Sequence, residues 1–229
     1  MRKTVFAPNE YYHVLNRGNN KQTIFFNDAD RIRFLLSILL FQSPLVIKNM
    51  DRVAKEFVQN PILHSNKEID DEMIGDIISN RFVELICFTL MPNHFHLLIR
   101  EIKKGGVAKY MQKIQISYTK YFNIKNDKVG HHFQGGYKAV HITKNNQLLY
   151  LSTYIHRNSR EINLWKGREN LYPWSSLQDY TSINRWGDIL KRNIILGQFE
   201  NPKKYKEFVK NSSAKTLRRL DRDYLLLLD

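Results

Sequence analysis

Two histidines flank one phenylalanine in the apolar segment that contains His94, Phe95 and His96. Alternate side chains of a β-strand point to the same face, so a strand here presents both imidazoles together and turns Phe95 to the opposite face. Imidazoles about 7 Å apart at Cα can share one metal ion. The alternative is a pair of ordinary surface histidines, and the metal interpretation needs a third ligand.

Three polar side chains recur every four residues further along the chain, at Tyr150, Tyr154 and Asn158. Residues four apart lie on one face of a helix, so the spacing predicts a stripe on which phenol and amide oxygens face the same way. The alternative is that both tyrosines pack in an amphipathic helix and leave only their hydroxyls in water. This stripe is the candidate source of the third ligand.

Four segments rich in β-forming residues predict the strands that carry or adjoin the histidine pair. They are YYHVLNR (11–17), VELICFT (83–89), HFHLLIR (94–100) and KAVHI (138–142). Pro92 and Asn93 favour a turn between the second and third segments. These two strands are therefore expected to form an antiparallel hairpin.

Three amphipathic segments predict helices between and after these strands. The first covers residues 28–41 with Asp28 as its cap, the second covers 107–124, and the third follows a cap at Asn145 or Asn146. The resulting order is βαββαβα. It predicts an α+β protein with a ferredoxin-like split βαβ arrangement, in which two helices cover one face of a four-stranded antiparallel sheet and a further helix follows.

The predicted core spans residues 1–165 and contains an insertion at about 43–80, where charged and apolar residues alternate around Pro61. Short helices joined by loops fit that composition. Residues 166–229 form a basic extension that is expected to be mainly helical.

The charge balance predicts a polyanionic partner. The chain has 36 Lys and Arg against 22 Asp and Glu, which gives a net charge of +14. Basic side chains release counterions when they neutralise phosphates, so nucleic acid is the leading partner, although a solvated basic surface gives the same count.

No run approaches the roughly 18 apolar residues of a membrane helix, and Cys87 has no partner for a disulfide, which predicts a soluble, cytosolic protein.

The segments MPNHFHLLIR and TYIHRN together resemble the single-tyrosine HUH transposases of simple insertion sequences, closest to the REP-associated tyrosine transposases. Further segments of the chain resemble the same family, and the resemblance spans most of the chain except residues 43–80. They are YYHVLNRG, SYTKYFN, GHHFQGGYK, YPWSSLQDY and PKKYKEFV.

The resemblance implies a role for each residue of the candidate site. His94 and His96 match the two histidine ligands of a divalent metal, Asn158 matches the third polar ligand, and Tyr154 matches the nucleophile that attacks DNA. The expected metal is Mg²⁺ or Mn²⁺, and zinc stays open. Two other tyrosines, Tyr118 and Tyr121, compete for the nucleophile's role, but their helix is interpreted more simply as the element that covers the sheet.

The family binds imperfect hairpins in single-stranded DNA, so the same partner is expected here. Arg17, Lys21 and Lys138 are expected to contact the DNA backbone, although a solvated basic face explains each of them equally well. The aromatic residues Phe133 and Tyr137 are expected to stack on bases, or else to anchor their loop to the core. One departure from the family is Gly136, where relatives often carry an arginine that contacts phosphate.

The implied function is a metal-dependent transposase that cleaves and rejoins single-stranded DNA through a covalent 5′-phosphotyrosine. One alternative is a DNA-binding module that descends from such an enzyme without turning over DNA. A second is a nuclease that activates water at the histidine pair, with Tyr154 in a structural role. RNA binding ranks last because the usual RNP pattern is absent. A monomer and a homodimer both remain open.

Overall fold

The computed structural model describes residues 4–59 and 68–212, which include one four-stranded sheet. The strand order is β2-β3-β1-β4, and each neighbouring pair is antiparallel. The strands are β1 (Tyr11–Arg17), β2 (Val83–Met91), β3 (His94–Glu101) and β4 (Lys138–Ile142). The predicted strands are confirmed, with β2 and β3 slightly longer than expected.

The core helices alternate with these strands in the predicted order, and shorter helices follow. Those of the core and its insertion are α1 (Asp28–Leu40), α2 (Met50–Gln59), α3 (Asp71–Asn80), α4 (Gly106–Lys125) and α5 (Asn145–Arg157). The later ones are α6 (Leu177–Thr181), α7 (Asn193–Leu196) and α8 (Pro202–Asn211). In the described part of the chain, no helix is long and apolar enough to cross a membrane.

The two faces of the sheet carry different helices. Phe95 of β3 packs against Phe34 of α1, with ring centroids 4.9 Å apart, and α4 lies beside α1 on the same face. This arrangement confirms the ferredoxin-like α+β fold. The alternation along β3 turns His94 and His96 to the opposite face, where α5 packs on the sheet. The fold therefore places the histidine pair under the helix that carries Tyr154.

Two predicted helix caps are wrong. The N-cap of α1 is Asn27, whose side chain accepts a hydrogen bond from the backbone N–H of Asp30 at 3.1 Å, so Asp28 is the first helical residue. The N-cap of α5 is Lys144, and the Gln147 side chain accepts from the Lys144 N–H at 3.1 Å. Lysine is not a preferred N-cap residue, so the preference for Asn at caps placed the start of this helix one or two residues too late.

The segment 43–80, interpreted from the sequence as an insertion, contains the short helices α2 and α3, and residues 60–67 between them lie outside the described residues. Helix α2 packs on α1, and its Phe57 ring stacks on Trp186 at 5.6 Å. The insertion therefore joins the core helix α1 to the C-terminal extension.

The extension covers the outer edge of β2. Backbone groups of Trp174 and Ser176 hydrogen-bond to Leu90 and Phe88 of β2, at 2.8 and 3.0 Å. Further along the strand, the Lys191 N–H donates to the Leu85 carbonyl at 2.8 Å. An open strand edge exposes unpaired backbone groups, and these contacts satisfy part of that edge. The basic segment from residue 213 onward, predicted to be part of the extension, lies outside the described residues.

Candidate active site

A cleft of about 410 Å³ opens where β1 ends and where β3 and β4 begin, below the C-terminal end of α5. Strand ends and a helix end thus converge on one space, and each contributes polar side chains. Its lining consists of Leu15, Asn16, Arg17, Lys21, Asn93, His94, His96, Gln134, Gly136, Lys138, Tyr154 and Glu161.

The histidine pair forms the floor of this cleft. His94 and His96 lie side by side on β3 with ring centroids 5.0 Å apart, and their register partners on β1 are Arg17 and Leu15. Burial lowers the pKa of His94, and it lowers the pKa of His96 well below the ordinary value. Both imidazoles are therefore neutral at neutral pH, which is the form that offers a lone pair to a metal.

A hydrogen-bonded chain favours one tautomer of His94. The Asn93 side-chain N–H donates to the Lys21 carbonyl at 3.2 Å, which leaves Oδ1 of Asn93 to face Nδ1 of His94 at 2.7 Å. Nδ1 must carry the proton to donate to that oxygen, so Nε2 of the neutral ring carries a lone pair. Nε2 lies 3.1 Å from Oδ1 of Asn158. Two acceptor atoms thus face each other at the end of α5.

His96 also has a hydrogen-bonding partner behind it. Its Nδ1 lies 2.9 Å from Nε2 of His13, a fully buried residue of β1 on the same face of the sheet. Burial lowers the pKa of His13 to about 3. With Nδ1 engaged by His13, the nitrogen that His96 can offer to the cleft is Nε2.

Tyr154 stands beside this pair. Its ring centroid lies 5.4 Å from that of His96 and 6.2 Å from that of His13, in edge-on contacts. Tyr154 and Asn158 lie four residues apart on α5 and at its C-cap, and both face the histidines. The structure therefore brings together the four residues that the sequence patterns selected, which are His94, His96, Tyr154 and Asn158.

The other candidate tyrosines lie elsewhere. Tyr118 is buried between α4 and the sheet and donates to the Ile24 carbonyl at 2.6 Å, and burial raises its pKa. Tyr121 donates to Asp30 at 3.1 Å on α1. Tyr150, one turn before Tyr154, packs on the Phe208 ring at 5.6 Å. Of these tyrosines, only Tyr154 lines the cleft with the histidines.

The donor atoms suit a hard or borderline divalent cation. Cis ligands of an octahedral ion with bonds of ~2.1 Å are about 3 Å apart, which is close to the distance between Nε2 of His94 and Oδ1 of Asn158. Among the described residues, no three His, Cys, Asp or Glu side chains converge on one metal position. A metal at the histidine pair would therefore depend on the amide oxygen of Asn158, with DNA phosphate and water for the remaining positions.

Three of the five residues predicted to bind DNA line the cleft, and two do not. Arg17, Lys21 and Lys138 lie on its β1 and β4 side. In contrast, Phe133 and Tyr137 are only 5% and 6% exposed and belong to the hydrophobic core. Their burial favours the alternative in which these aromatics anchor the loop rather than stack on bases.

The polar residues of the cleft that the sequence patterns did not select include Gln134 and Glu161. Gln134 accepts a hydrogen bond from Nε of Arg17 at 2.6 Å, and its backbone N–H donates to the Arg17 carbonyl at 2.8 Å. Glu161 follows α5 in a short 3₁₀ turn, and burial raises the pKa of its carboxyl group. Neither belongs to a motif with characteristic spacing, so no local signal identified them. Gly136 also lines the cleft, which therefore lacks a side chain at that position.

The sequence model of the family described as "Transposase IS200 like" matches residues 57–158. The matched range includes both histidines, Tyr154 and Asn158. No curated protein matches the chain.

Solved structures that are similar to this chain include the following three. A REP-associated tyrosine transposase bound to a REP hairpin aligns with a TM-score of 0.50 and 12% identity over 81% of this chain and 87% of that chain. A proposed transposase from Deinococcus radiodurans aligns with a TM-score of 0.33 and 12% identity, over 69% and 97% of the two chains. The tRNA(His) guanylyltransferase from Saccharomyces cerevisiae aligns with a TM-score of 0.34 and 10% identity, over 97% of this chain and 79% of that chain. The first likeness supports the fold, and the other two are too weak to carry an argument.

Proposed function

We propose that the chain is an IS200-like transposase of the single-tyrosine type, and that it cleaves and rejoins single-stranded DNA through a covalent bond between Tyr154 and a 5′-phosphate. The observation that carries this proposal is the position of Tyr154, whose ring lies 5.4 Å from that of His96 in a cleft lined with cations. A nucleophile beside a metal site and a phosphate-binding surface is the arrangement that phosphoryl transfer requires.

His94, His96 and Asn158 are proposed to hold a divalent cation, with Mg²⁺ or Mn²⁺ as the expected ions. The support is the neutral state of both imidazoles and the two acceptor atoms that face each other at 3.1 Å. When bound, the cation supplies Lewis-acid polarisation of the scissile phosphate and lowers the cost of deprotonating a nearby phenol. The neutral amide oxygen of Asn158 suits these ions better than it suits softer ones.

The proposed step exchanges one phosphate ester for another. Oη of Tyr154 attacks phosphorus, the new Oη–P bond forms, and the bond from phosphorus to the 3′ oxygen breaks. The phenol loses its proton to solvent, and the leaving oxygen takes one up as a 3′-hydroxyl. Rejoining is the reverse attack by a 3′-hydroxyl on the phosphotyrosine. The number of ester bonds is unchanged, so no nucleotide hydrolysis is needed.

Single-stranded DNA with a hairpin is the proposed substrate. Arg17, Lys21 and Lys138 place positive charge in the cleft that Tyr154 also lines. A DNA backbone that runs through this cleft would meet both the cations and the nucleophile. The REP-associated transposase with the same fold was solved with a REP hairpin, which supports the choice of hairpin DNA here.

The test uses hairpin oligonucleotides from the DNA that flanks the gene, incubated with the full chain and Mg²⁺ or Mn²⁺. A label on the 3′ end of the DNA is expected to migrate with the protein on a denaturing gel, because the 5′-phosphate stays attached to Tyr154. A label on the 5′ end is expected on a shorter, protein-free strand. EDTA should abolish both products.

Two tyrosine variants of the same helix provide the matched comparison. Tyr154→Phe is expected to lose the labelled adduct, whereas Tyr150→Phe, which removes a hydroxyl one turn away beside Phe208, is expected to keep it. An adduct that survives in Tyr154→Phe would contradict the assignment. Cleavage that leaves a free 5′-phosphate and no adduct would favour the water-activating nuclease instead. Hairpin binding without cleavage would favour a non-catalytic module.

A further inference from the structure

We propose that His13 is a positioning residue that fixes the ring nitrogen with which His96 faces the cleft. This inference rests on the proposed metal site, and it concerns a residue outside the ligand set. His13 lies on β1, its side chain is fully buried, and its Nε2 lies 2.9 Å from Nδ1 of His96. The two rings stack with an interplanar angle of 25° and centroids 5.1 Å apart.

The sheet register explains why these two side chains meet. His13 pairs with Leu98 across β1 and β3, and His96 pairs with Leu15, so the two histidines are diagonal neighbours on one face. Diagonal side chains of an antiparallel pair are within reach of aromatic rings. The pairing places His13 behind His96, on the side away from Asn158 and the cleft opening.

The hydrogen bond between two imidazoles has two possible arrangements. If His13 donates from Nε2, then Nδ1 of His96 accepts, and the neutral His96 ring carries its proton on Nε2, where it blocks a metal. If Nδ1 of His96 donates, then Nε2 of His96 keeps its lone pair towards the cleft. Only the second arrangement is compatible with His96 as a ligand, so His13 must act as the acceptor. Ligating histidines in general have such a partner at the other ring nitrogen.

Two other roles for His13 fit the geometry less well. As a third metal ligand, His13 would need its Nε2 for the metal, but that nitrogen already faces Nδ1 of His96 at hydrogen-bond distance. If His13 served only to fill space in the core, an apolar side chain of similar size could replace it. The positioning role predicts instead that an acceptor atom at this position is what matters.

Two variants of His13 separate these roles. In His13→Gln, the amide oxygen lies about as far from Cβ as Nε2 does in histidine, so it can still accept from His96. His13→Leu fills space and offers no acceptor. A matched control is His156→Gln, which removes another fully buried imidazole that contacts Ser176 and Tyr205 and not His96.

The first readout is the tautomer of His96, measured without metal by long-range ¹H–¹⁵N correlation spectra of the protein labelled at histidine. In the wild type and in His13→Gln, the proton of His96 is expected on Nδ1. In His13→Leu, we expect it to shift to Nε2, the form that an unconstrained neutral imidazole favours. A proton on Nε2 of His96 in the wild type, or an unchanged tautomer in His13→Leu, would overturn the inference.

The second readout is the dissociation constant of Mn²⁺, from the electron paramagnetic resonance signal of the free ion. His13→Leu is expected to bind ~10–100-fold more weakly, with His13→Gln and His156→Gln close to the wild type. Thermal unfolding of each variant shows whether it is folded. Equal affinity in wild type and His13→Leu would overturn the inference and leave the proposed function standing. If His94→Ala binds Mn²⁺ as tightly as the wild type does, the proposed metal site itself is overturned.

Discussion

Nε2 of His94 and Oδ1 of Asn158 lie 3.1 Å apart, and both are acceptor atoms in the tautomer that the contact with Asn93 favours. Two lone pairs at this distance repel each other unless a cation lies close to both. The pair joins the start of β3 to the end of α5. Binding of a cation there would therefore stabilise the contact between the histidine strand and the helix of the nucleophile.

Replacement of Asn158 tests this relationship. Asn158→Leu removes the oxygen, and we expect Mn²⁺ affinity to fall by at least ~10-fold. Asn158→Asp keeps an oxygen and adds a negative charge, so its affinity should equal or exceed that of the wild type. Titration of the free Mn²⁺ signal gives both values. Wild-type affinity in Asn158→Leu would mean that the amide is not a ligand.

The cations of the cleft should determine the salt dependence of DNA binding. Lys21 and Lys138 are exposed and line the cleft, so each Lys→Ala variant is expected to lower the slope of log affinity against log salt by about 0.7 for one lost contact with a single strand. Lys203→Ala changes an exposed lysine of α8 that does not line the cleft and serves as the control. Fluorescence anisotropy of a labelled hairpin measures the slopes. An equal effect of Lys203→Ala would argue for a diffuse basic surface.

The stability of the fold should decrease in acid partly because of His156. This buried residue of α5 lies at hydrogen-bond distance from Tyr205 and Ser176, with the Tyr180 ring beside it, and burial lowers its pKa to about 3. Below the ordinary histidine pKa of ~6.5, the unfolded chain takes up a proton that the folded chain excludes. The free energy of unfolding should therefore fall between pH 6.5 and 3, by on the order of 1 kcal/mol per pH unit from this group.

Urea unfolding at several pH values, compared between the wild type and His156→Gln, measures that contribution. The variant has no ionisable group at this position, so its unfolding free energy should depend less steeply on pH. The remaining slope comes from other buried histidines such as His13. Parallel curves for the two proteins would show that His156 does not couple folding to pH.

The C-terminal extension should unfold together with the core. Asp179 of α6 is fully buried and accepts hydrogen bonds from Arg185 and from the Trp186 indole, and Trp186 stacks on Phe57 of α2. Asp179→Ala leaves the Arg185 charge without its carboxylate, so we expect a loss of about 3–5 kcal/mol in stability. Asp188→Ala, at an exposed position nearby, should change it little. A mild effect of Asp179→Ala would mean that the extension is held loosely.

Local patterns predicted the sheet because the residues that favour each strand are contiguous in the sequence. The β-forming residues of YYHVLNR and KAVHI placed β1 and β4 at the residues observed, and the turn at Pro92 and Asn93 predicted the hairpin of β2 and β3. The four-residue spacing from Tyr154 to Asn158 predicted a shared face of α5, and the structure places both beside the histidines. The caps of α1 and α5 were misplaced because neighbouring polar residues compete for one cap position.

The parts of the site that the sequence did not predict depend on contacts between distant segments. His13 meets His96 only through the register of β1 against β3, and Gln134 meets Arg17 through a loop 117 residues away. Phe133 and Tyr137 were candidates for stacking on bases, with anchoring of their loop as the alternative, and their burial in the core favours the alternative. Residue type and spacing cannot distinguish an aromatic side chain that faces DNA from one that anchors its loop.

The most direct test of the proposed function is to locate the covalent bond between protein and DNA in the wild-type protein. The protein is incubated with a cleavable hairpin and Mn²⁺, the attached DNA is trimmed with nuclease, and the tryptic peptides are analysed by mass spectrometry. We expect the residual nucleotide on the peptide that contains Tyr154, linked through its 5′-phosphate. A nucleotide on a peptide with another tyrosine, or cleaved DNA with no modified peptide, would contradict the proposal that Tyr154 is the nucleophile.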